Sequence, residues 1–201
     1  MTRILIIFAH PALEKSRVHK ELLLATRNLD GITFNDLYEH YPDFDIDVSR
    51  EQQLLLDHDF IIWQHPFYWY SAPAILKQWQ DLVLEHGWAY GRSGKALEGK
   101  TVFNVFSSGG GMQSYQPNGY QKYTVHELLH PFERTAHLCS MNYWPPFWIP
   151  GSHTLDGGQI QDYALQFRRL LEMIRDRRYT DIAIQKATYL NDIVLPSKKE
   201  A

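Results

Sequence analysis

The chain has 201 residues, 44% of them hydrophobic and 21% charged, with a formal net charge of −3. That length and balance describe one large globular domain with a substantial core, and the charge leaves no electrostatic footprint for nucleic acid. The single cysteine, Cys139, excludes an internal disulfide and suits a reducing compartment. No apolar stretch approaches membrane-spanning length and no signal peptide precedes the first apolar run, so the expected location is cytoplasmic. The ten histidines are scattered without metal-ligand spacing. The aromatic share of 14%, with six tryptophans, favours a ligand pocket or an oligomer interface.

Residues 3–9 form a continuous apolar run that reads as a buried parallel strand, ended by His10-Pro11. Helical spacing of Val18, Leu22, Leu23, Ala25 and Leu29 follows Ser16 and stops at Asp30-Gly31. Residues 32–38 alternate as a second strand, residues 41–47 form an aromatic and acidic loop, and Asp47-Val48-Ser49 leads into a second helix. Residues 60–65 are a short β-branched and aromatic run, the third strand, which Pro66 stops because proline has no amide proton for a ladder. Phe67 to Tyr70 make an aromatic loop, after which Ser71 is placed as the cap, and Pro73 in the first turn, of an amphipathic helix over 74–84. Residues 86–91 form a loop with two further aromatics, and residues 101–106 are the fourth buried strand, ended by Ser107-Ser108-Gly109-Gly110-Gly111. A polar segment runs over 112–122. A helix over 125–138, broken or started by His130-Pro131, precedes a fifth strand over 140–144 that Pro145-Pro146 ends. A long helix covers 156–178. The expected division is one main domain over 1–178 and a C-terminal extension over 179–201, partly helical up to Val194 and frayed beyond Pro196.

Alternating strands and helices imply an α/β fold with one doubly wound parallel sheet. Right-handed crossovers make the flavodoxin-like five-stranded order 2-1-3-4-5 the economical topology. In that order the loops after strands one, three and four meet at the carboxyl edge, where open α/β sheets bind ligands. The first loop carries His10 and then Ser16 at a helix start, where free amides and the helix dipole favour a phosphate. Taken alone, Ser16 is better explained as an ordinary helix cap. Tyr68, Trp69 and Tyr70 cannot all face inward, and such a loop suits a flat conjugated ligand, though capping the sheet or filling an interface explains it as well. The small residues after the fourth strand allow close backbone approach, or make a flexible turn. The first turn, His10-Pro11-Ala12-Leu13, is not the glycine-rich turn of a dinucleotide fold, and no P-loop is present. The third strand carries no terminal aspartate of the phosphoacceptor kind. A flat ring among aromatics with a phosphate at the first helix fits a flavin.

These motifs together resemble the flavodoxin-like NAD(P)H:quinone oxidoreductases, and among them the small ancillary flavoproteins of glutathione-gated potassium efflux systems (the Kef type). The carriers are His10-Pro11, the run Tyr38 through Asp47, Glu51-Gln52, Gln64-His65-Pro66, Trp69-Tyr70-Ser71 and Leu84 through Gly91, within a resemblance reaching from Ile4 to Phe147. The resemblance implies a homodimer that binds FMN, or alternatively FAD, and moves two electrons from NAD(P)H to a quinone. It implies that His10, Ser16, Arg17, Val18 and His19 hold the phosphate side of the flavin. Phe67, Tyr68, Trp69 and Tyr70 then hold the ring, Ser107, Ser108, Gly109 and Gly110 line its other edge, and Tyr115 stands near the hydride-transfer position. It also implies, as a second role, regulation of a potassium efflux antiporter, with peripheral attachment to the membrane through that partner. The family usually has threonines where Ser107 and Ser108 stand, and asparagine is common at the place of His19. A one-electron carrier of the flavodoxin type would bring a compact Ser/Thr-Gly phosphate loop after the first strand and a more acidic surface, and this chain has neither. The dimer is further expected from Trp88, Tyr90, Trp144, Phe147 and Trp148, read as aromatic surface that one sheet cannot cover.

Overall fold

The computed structural model describes residues 2–194. Its first, third and fourth strands, β1 (Ile4–Phe8), β3 (Phe60–Pro66) and β4 (Thr101–Ser107), are buried at every position. Continuous apolar runs behave this way when helices cover both faces of a parallel sheet. β2 (Ile32–Asp36) is the edge strand beside β1, and all neighbouring strands pair in parallel. Two short strands, β5 (Asn142–Tyr143) and β6 (Phe147–Ile149), share the place on the far side of β4. The order is β2-β1-β3-β4-β5, with β6 also on β4.

Successive side chains point to opposite faces of a strand. Leu5, Ile7, Ile61, Trp63, Val102 and Phe106 therefore join one core. They meet Leu55 of α3 (Val48–Asp57), Ile75 and Trp79 of α4 (Ala74–Val83) and Phe132 of α5 (Val125–Leu138). Ile4, Ile6, Phe8, Ile62, Phe103 and Val105 face the other way. There they meet Val18 and Leu22 of α1 (Arg17–Thr26) and Phe167 and Leu171 of α6 (Gly157–Arg175).

Several boundaries differ from the sequence reading for local reasons. β2 stops at Asp36, whose carboxylate accepts the amides of Tyr38 and Glu39 and opens the short α2 (Leu37–His40). Within the Asp47-Val48-Ser49 lead-in, Asp47 is the residue whose side chain caps α3. Ser71 does not cap α4: the helix begins at Ala74 after Pro73 with no side-chain cap. α5 runs unbroken through Pro131 from a capping box of Thr124 and Glu127. Pro145-Pro146 interrupts the fifth strand without ending it, because the chain rejoins β4 at Phe147. Phe147 and Trp148 are buried within their own chain and Trp88, Tyr90 and Trp144 are half-buried, so they are not the uncovered aromatic surface read from the sequence. After α6 the chain continues into α7 (Asp181–Lys186) and α8 (Asn191–Val194), where Ile184, Leu190 and Val194 join the core on the α1/α6 face. The part of the expected extension beyond residue 194 lies outside the described residues.

The loop over 41–47 is tied down by one buried carboxylate. Glu51 accepts from Asn35 Nδ2 at 2.8 Å, Tyr41 Oη at 2.7 Å and Trp79 Nε1 at 2.8 Å, and pairs with Arg50. It thus joins β2, the loop, α3 and α4. Removing it leaves three buried donors without their acceptor and takes the carboxylate from Arg50, which keeps only Asn35 Oδ1 and Tyr41 Oη. Glu51→Ala is expected to lower stability by about 3–5 kcal/mol in urea unfolding. A loss below about 1 kcal/mol would show that the network does not hold these elements.

His19 and His65 have no exposed surface. Burial holds His65 down at about 4 and His19 well below its ordinary value, with His10 and His65 pushing His19 further in the same direction. An unfolded histidine titrates near 6.5, so below that pH the unfolded chain takes up protons that the folded chain refuses. The contribution is intact above 6.5 and is lost as the pH falls towards the folded values. For His65 alone the loss across that window is roughly 3 kcal/mol. Urea midpoints are expected to be level from about pH 8 to 7 and to fall steadily from about pH 6.5 to 5. Level midpoints throughout would contradict neutral burial of these rings.

Candidate active site

The carboxyl ends of β1, β3 and β4 meet α1 and the loop before α6 around a cavity of about 380 Å³. Of the candidate residues, His10, Ser16, Arg17, Val18, Phe67, Tyr68, Ser107 and Gly109 line it. Lys15, Ser152 and His153 line it as well and were not anticipated. Ser152 and His153 follow β6, and ending the fifth strand at Pro145 removed the reason to look for a loop at its carboxyl end. The Pro150-Gly151 turn, with Gly151 at φ +70°, was the available signal.

The α1 end of the cavity is organised by Ser16 and His10. Ser16 Oγ accepts from the His19 amide at 3.1 Å, the cap that the plainer reading expected. The amides of Arg17 and Val18 carry no partner among the described residues and stand at the positive end of the helix. His10 Nδ1 accepts from the Ala12 amide at 3.2 Å, which fixes the bend out of β1. Burial lowers the His10 pKa, against an upward pull from Glu14. Arg17 donates to the Leu155 carbonyl at 2.9 Å, bringing its guanidinium to the loop before α6.

His19 does not line the cavity. It stands beneath it, with Nε2 at 3.0 Å from Ser107 Oγ and Nδ1 at 3.4 Å from Gln64 Nε2. It ties the first turn of α1 to the ends of β3 and β4.

Residues 68–71 form a tight turn closed by the Ser71 amide on the Tyr68 carbonyl at 3.0 Å. Trp69 and Tyr70 occupy its centre at φ +50° and +62°. Positive φ at both central positions marks a type I′ turn, which favours Asn and Gly. Two bulky aromatics there cost about 1 kcal/mol or more each. The turn leaves Trp69 92% exposed and Tyr70 half-exposed at the cavity mouth, and neither lines the cavity itself.

The third loop is held to the segment after β6. The Gly151 amide donates to the Gly110 carbonyl at 3.0 Å and the Ser152 amide to the Ser108 carbonyl at 2.9 Å. Ser108 is buried, donating to the Gly110 carbonyl at 2.8 Å and accepting from Trp148 Nε1 at 2.9 Å. The amides of Gly109 and Gly110 have no acceptor among the described residues. A Cβ on Gly109 would lie 2.8 Å from the His153 ring, which would have to swing aside to admit it. Tyr115 packs behind Gly110, its ring 6.0 Å from Phe67 and 5.7 Å from Trp148. Burial raises its pKa, and the Ser108 hydroxyl opposes that rise. Ser108, Gly110 and Tyr115 thus form the layer behind the cavity wall.

Among the described residues there is no group of His, Cys, Asp or Glu side chains arranged to hold a metal ion. No helix of the described residues is long and apolar enough to cross a membrane.

This architecture has known counterparts. The family model described as a flavodoxin-like fold matches residues 2–171. The chain is 43% identical over 171 residues to the uncharacterized NAD(P)H oxidoreductase YrkL of Bacillus subtilis, covering 85% of this chain and 97% of that one. It is 42% identical over 168 residues to the glutathione-regulated potassium-efflux system ancillary protein KefF of Citrobacter koseri, covering 84% of this chain and 94% of that one. Among solved structures, general stress protein 14 of Treponema denticola in complex with FMN superposes with a TM-score of 0.82 at 40% identity, covering 86% of this chain and 99% of that one. An NADPH-quinone reductase from P. pentosaceus superposes with a TM-score of 0.77 at 36% identity, covering 84% of this chain and 96% of that one. The family match over residues 2–171 and the identities above 40% over most of the chain place it in one group: the chain belongs to the flavodoxin-like fold family.

Proposed function

We propose that the chain is an NAD(P)H:quinone oxidoreductase that takes FMN in the cavity between its three carboxyl-edge loops. The observation that carries this reading is the meeting, in one cavity, of the amino end of α1, the aromatic turn and the glycine loop. Its relatives include a named NAD(P)H oxidoreductase, an FMN complex and a named quinone reductase.

The residues present fit that group. The unpartnered Arg17 and Val18 amides, with Lys15 and Arg17 beside them, would receive a phosphate. Phe67 and Tyr68 wall the cavity as flat faces for a conjugated ring. The Gly109 and Gly110 amides supply two preorganised donors where negative charge develops on that ring's edge. A flavin bound there would accept a hydride and pass two electrons onward. The chain contributes position, exclusion of water and one proton: the Tyr115 hydroxyl, one layer behind the cavity wall and kept protonated by burial, would donate to a quinone oxygen that reaches in past Gly110. A single mouth serving both substrates requires the spent nucleotide to leave first, which gives ping-pong kinetics.

His19 has a supporting role in this reading and touches no ligand. The chain would act as a homodimer. The support is no longer the residues named from the sequence but Trp69, Tyr120 and Tyr123, exposed together with Tyr68, Tyr70 and Met112 on the loops after β3 and β4. A second reading, favoured by the relation to KefF, is an ancillary role on a potassium efflux antiporter, in the cytoplasm and peripheral to the membrane through that partner. Residues 1–178 would carry the flavin and the remainder would be an added extension.

Purified protein is expected to oxidise NADPH with a quinone and to show parallel lines in double-reciprocal plots. Intersecting lines would contradict a shared site. Trp69→Ala should weaken FMN retention, measured by flavin fluorescence on dilution, because the exposed indole next to Tyr68 would cover the bound ring from outside the cavity. Unchanged retention would remove that turn from the site. Tyr115→Phe should slow the quinone half-reaction roughly tenfold or more and change reduction by NADPH less, as read by stopped flow. An unchanged quinone step would leave Tyr115 as packing. Sedimentation should give twice the 23.6 kDa chain mass at micromolar concentration, and a monomer alone would refute the dimer.

A further inference from the structure

The family match ends at residue 171, and the chain continues along the open side of β6. β6 has β4 on one flank, and no strand of the described residues pairs with the other. Asn191 takes that place. Its Oδ1 accepts from the Trp148 amide at 2.9 Å and its Nδ2 donates to the Trp148 carbonyl at 3.1 Å. One side-chain amide thus satisfies the pair of backbone groups that a further strand would have bonded. The Leu190 amide donates to the Pro146 carbonyl at 2.9 Å. Tyr189 and Leu190 straddle the sheet edge, one packed against each core. The Tyr189 ring lies 5.3 Å from the Trp148 indole and stacks on His126 at 5.1 Å.

Trp148 leads from this edge into the site. Its Nε1–H donates to Ser108 Oγ, and that bond leaves the Ser108 proton directed at the Gly110 carbonyl. Its ring meets Tyr115 edge to face, at 87°. A strand of three residues paired on one side is weakly fixed by its ladder alone. The position of the indole therefore depends on what grips the Trp148 backbone from the open side.

We propose that Asn191, outside the family match, is a positioning residue of the reductase site: it fixes Trp148, which fixes Ser108, the Gly110 backbone and the Tyr115 ring. The part that concerns Tyr115 as proton donor rests on the function proposed above. The positioning itself has a readout that does not.

The test uses the flavin-loaded full chain carrying Asn191→Ala, with tyrosines labelled with carbon-13 at Cζ. The Tyr115 resonance is assigned by its loss in Tyr115→Phe. In Asn191→Ala that resonance should shift, and its titration should move down towards the ordinary tyrosine range as the packing around it loosens. Stopped flow should show the quinone half-reaction slowed several-fold, with reduction by NADPH changed by less than about twofold. Trp148→Phe keeps a ring and removes the donor to Ser108, and it should reproduce both changes even if Asn191→Ala does not fold. A folded Asn191→Ala, or a folded Trp148→Phe, with an unmoved Tyr115 titration would overturn the inference. If Tyr115→Phe leaves the quinone step untouched while Asn191→Ala moves the Tyr115 titration, the positioning stands and the proton-donor role of Tyr115 fails.

Discussion

His19 carries no exposed surface, and its two ring nitrogens join the three elements whose ends make the cavity. With Gln64 Nε2 donating to Nδ1, the other nitrogen carries the proton and donates to Ser107 Oγ. The ring is therefore used as a neutral cross-link with one donor and one acceptor, and burial enforces that state by lowering its pKa. A helix crossing a sheet is set mainly by apolar packing, which is non-directional. The two polar bonds add direction: they fix the first turn of α1 against β3 and β4, and with it the free amides at the cavity rim.

Around this fixed point the rim combines strain with satisfaction. The 68–71 turn holds two aromatics at positive φ, and one of them is almost wholly in water. Neither conformation nor exposure is favourable for the isolated chain, and such outliers mark functional sites more often than errors of folding. The glycine loop shows the complementary arrangement. The Ser108 and Gly110 carbonyls are consumed by the amides of Ser152 and Gly151 and the hydroxyl of Ser108, while the amides of Gly109 and Gly110 have no acceptor among the described residues. The backbone there is rigid on one side and available on the other, as a preorganised donor pair must be.

The sheet was legible because β1, β3 and β4 are long apolar runs, and buried parallel strands leave that pattern without ambiguity. The site edge was legible because strand order decides which loops meet. What stayed hidden depended on particular pairings. Ser71 has the residue type of a cap, but its amide closes the aromatic turn, and α4 starts at Ala74 as read, without a side-chain cap. Pro145-Pro146 reads as a terminator, yet prolines at a sheet edge can be stepped over when the next residues, Phe147-Trp148-Ile149, are apolar enough to return to the core. That misreading hid Ser152 and His153, and made buried Phe147 and Trp148 look like interface. The resemblance put His19 with the phosphate, whereas the direction of its side chain is set by Ser107, 88 residues away. Asn191 carries no local sign of its role, because only the tertiary structure places a sheet edge beside it.

The central claim is that the amino end of α1, with Lys15 and Arg17, receives the phosphate of FMN. Titration of flavin-free protein with FMN and with riboflavin, which differ only in that phosphate, tests it most directly. Charge-assisted bonds from two helix amides and a basic side chain should make FMN at least about a hundredfold tighter than riboflavin. Equal affinities would contradict the placing of the phosphate at α1, and with it the orientation of the ring against the aromatic turn and the glycine loop.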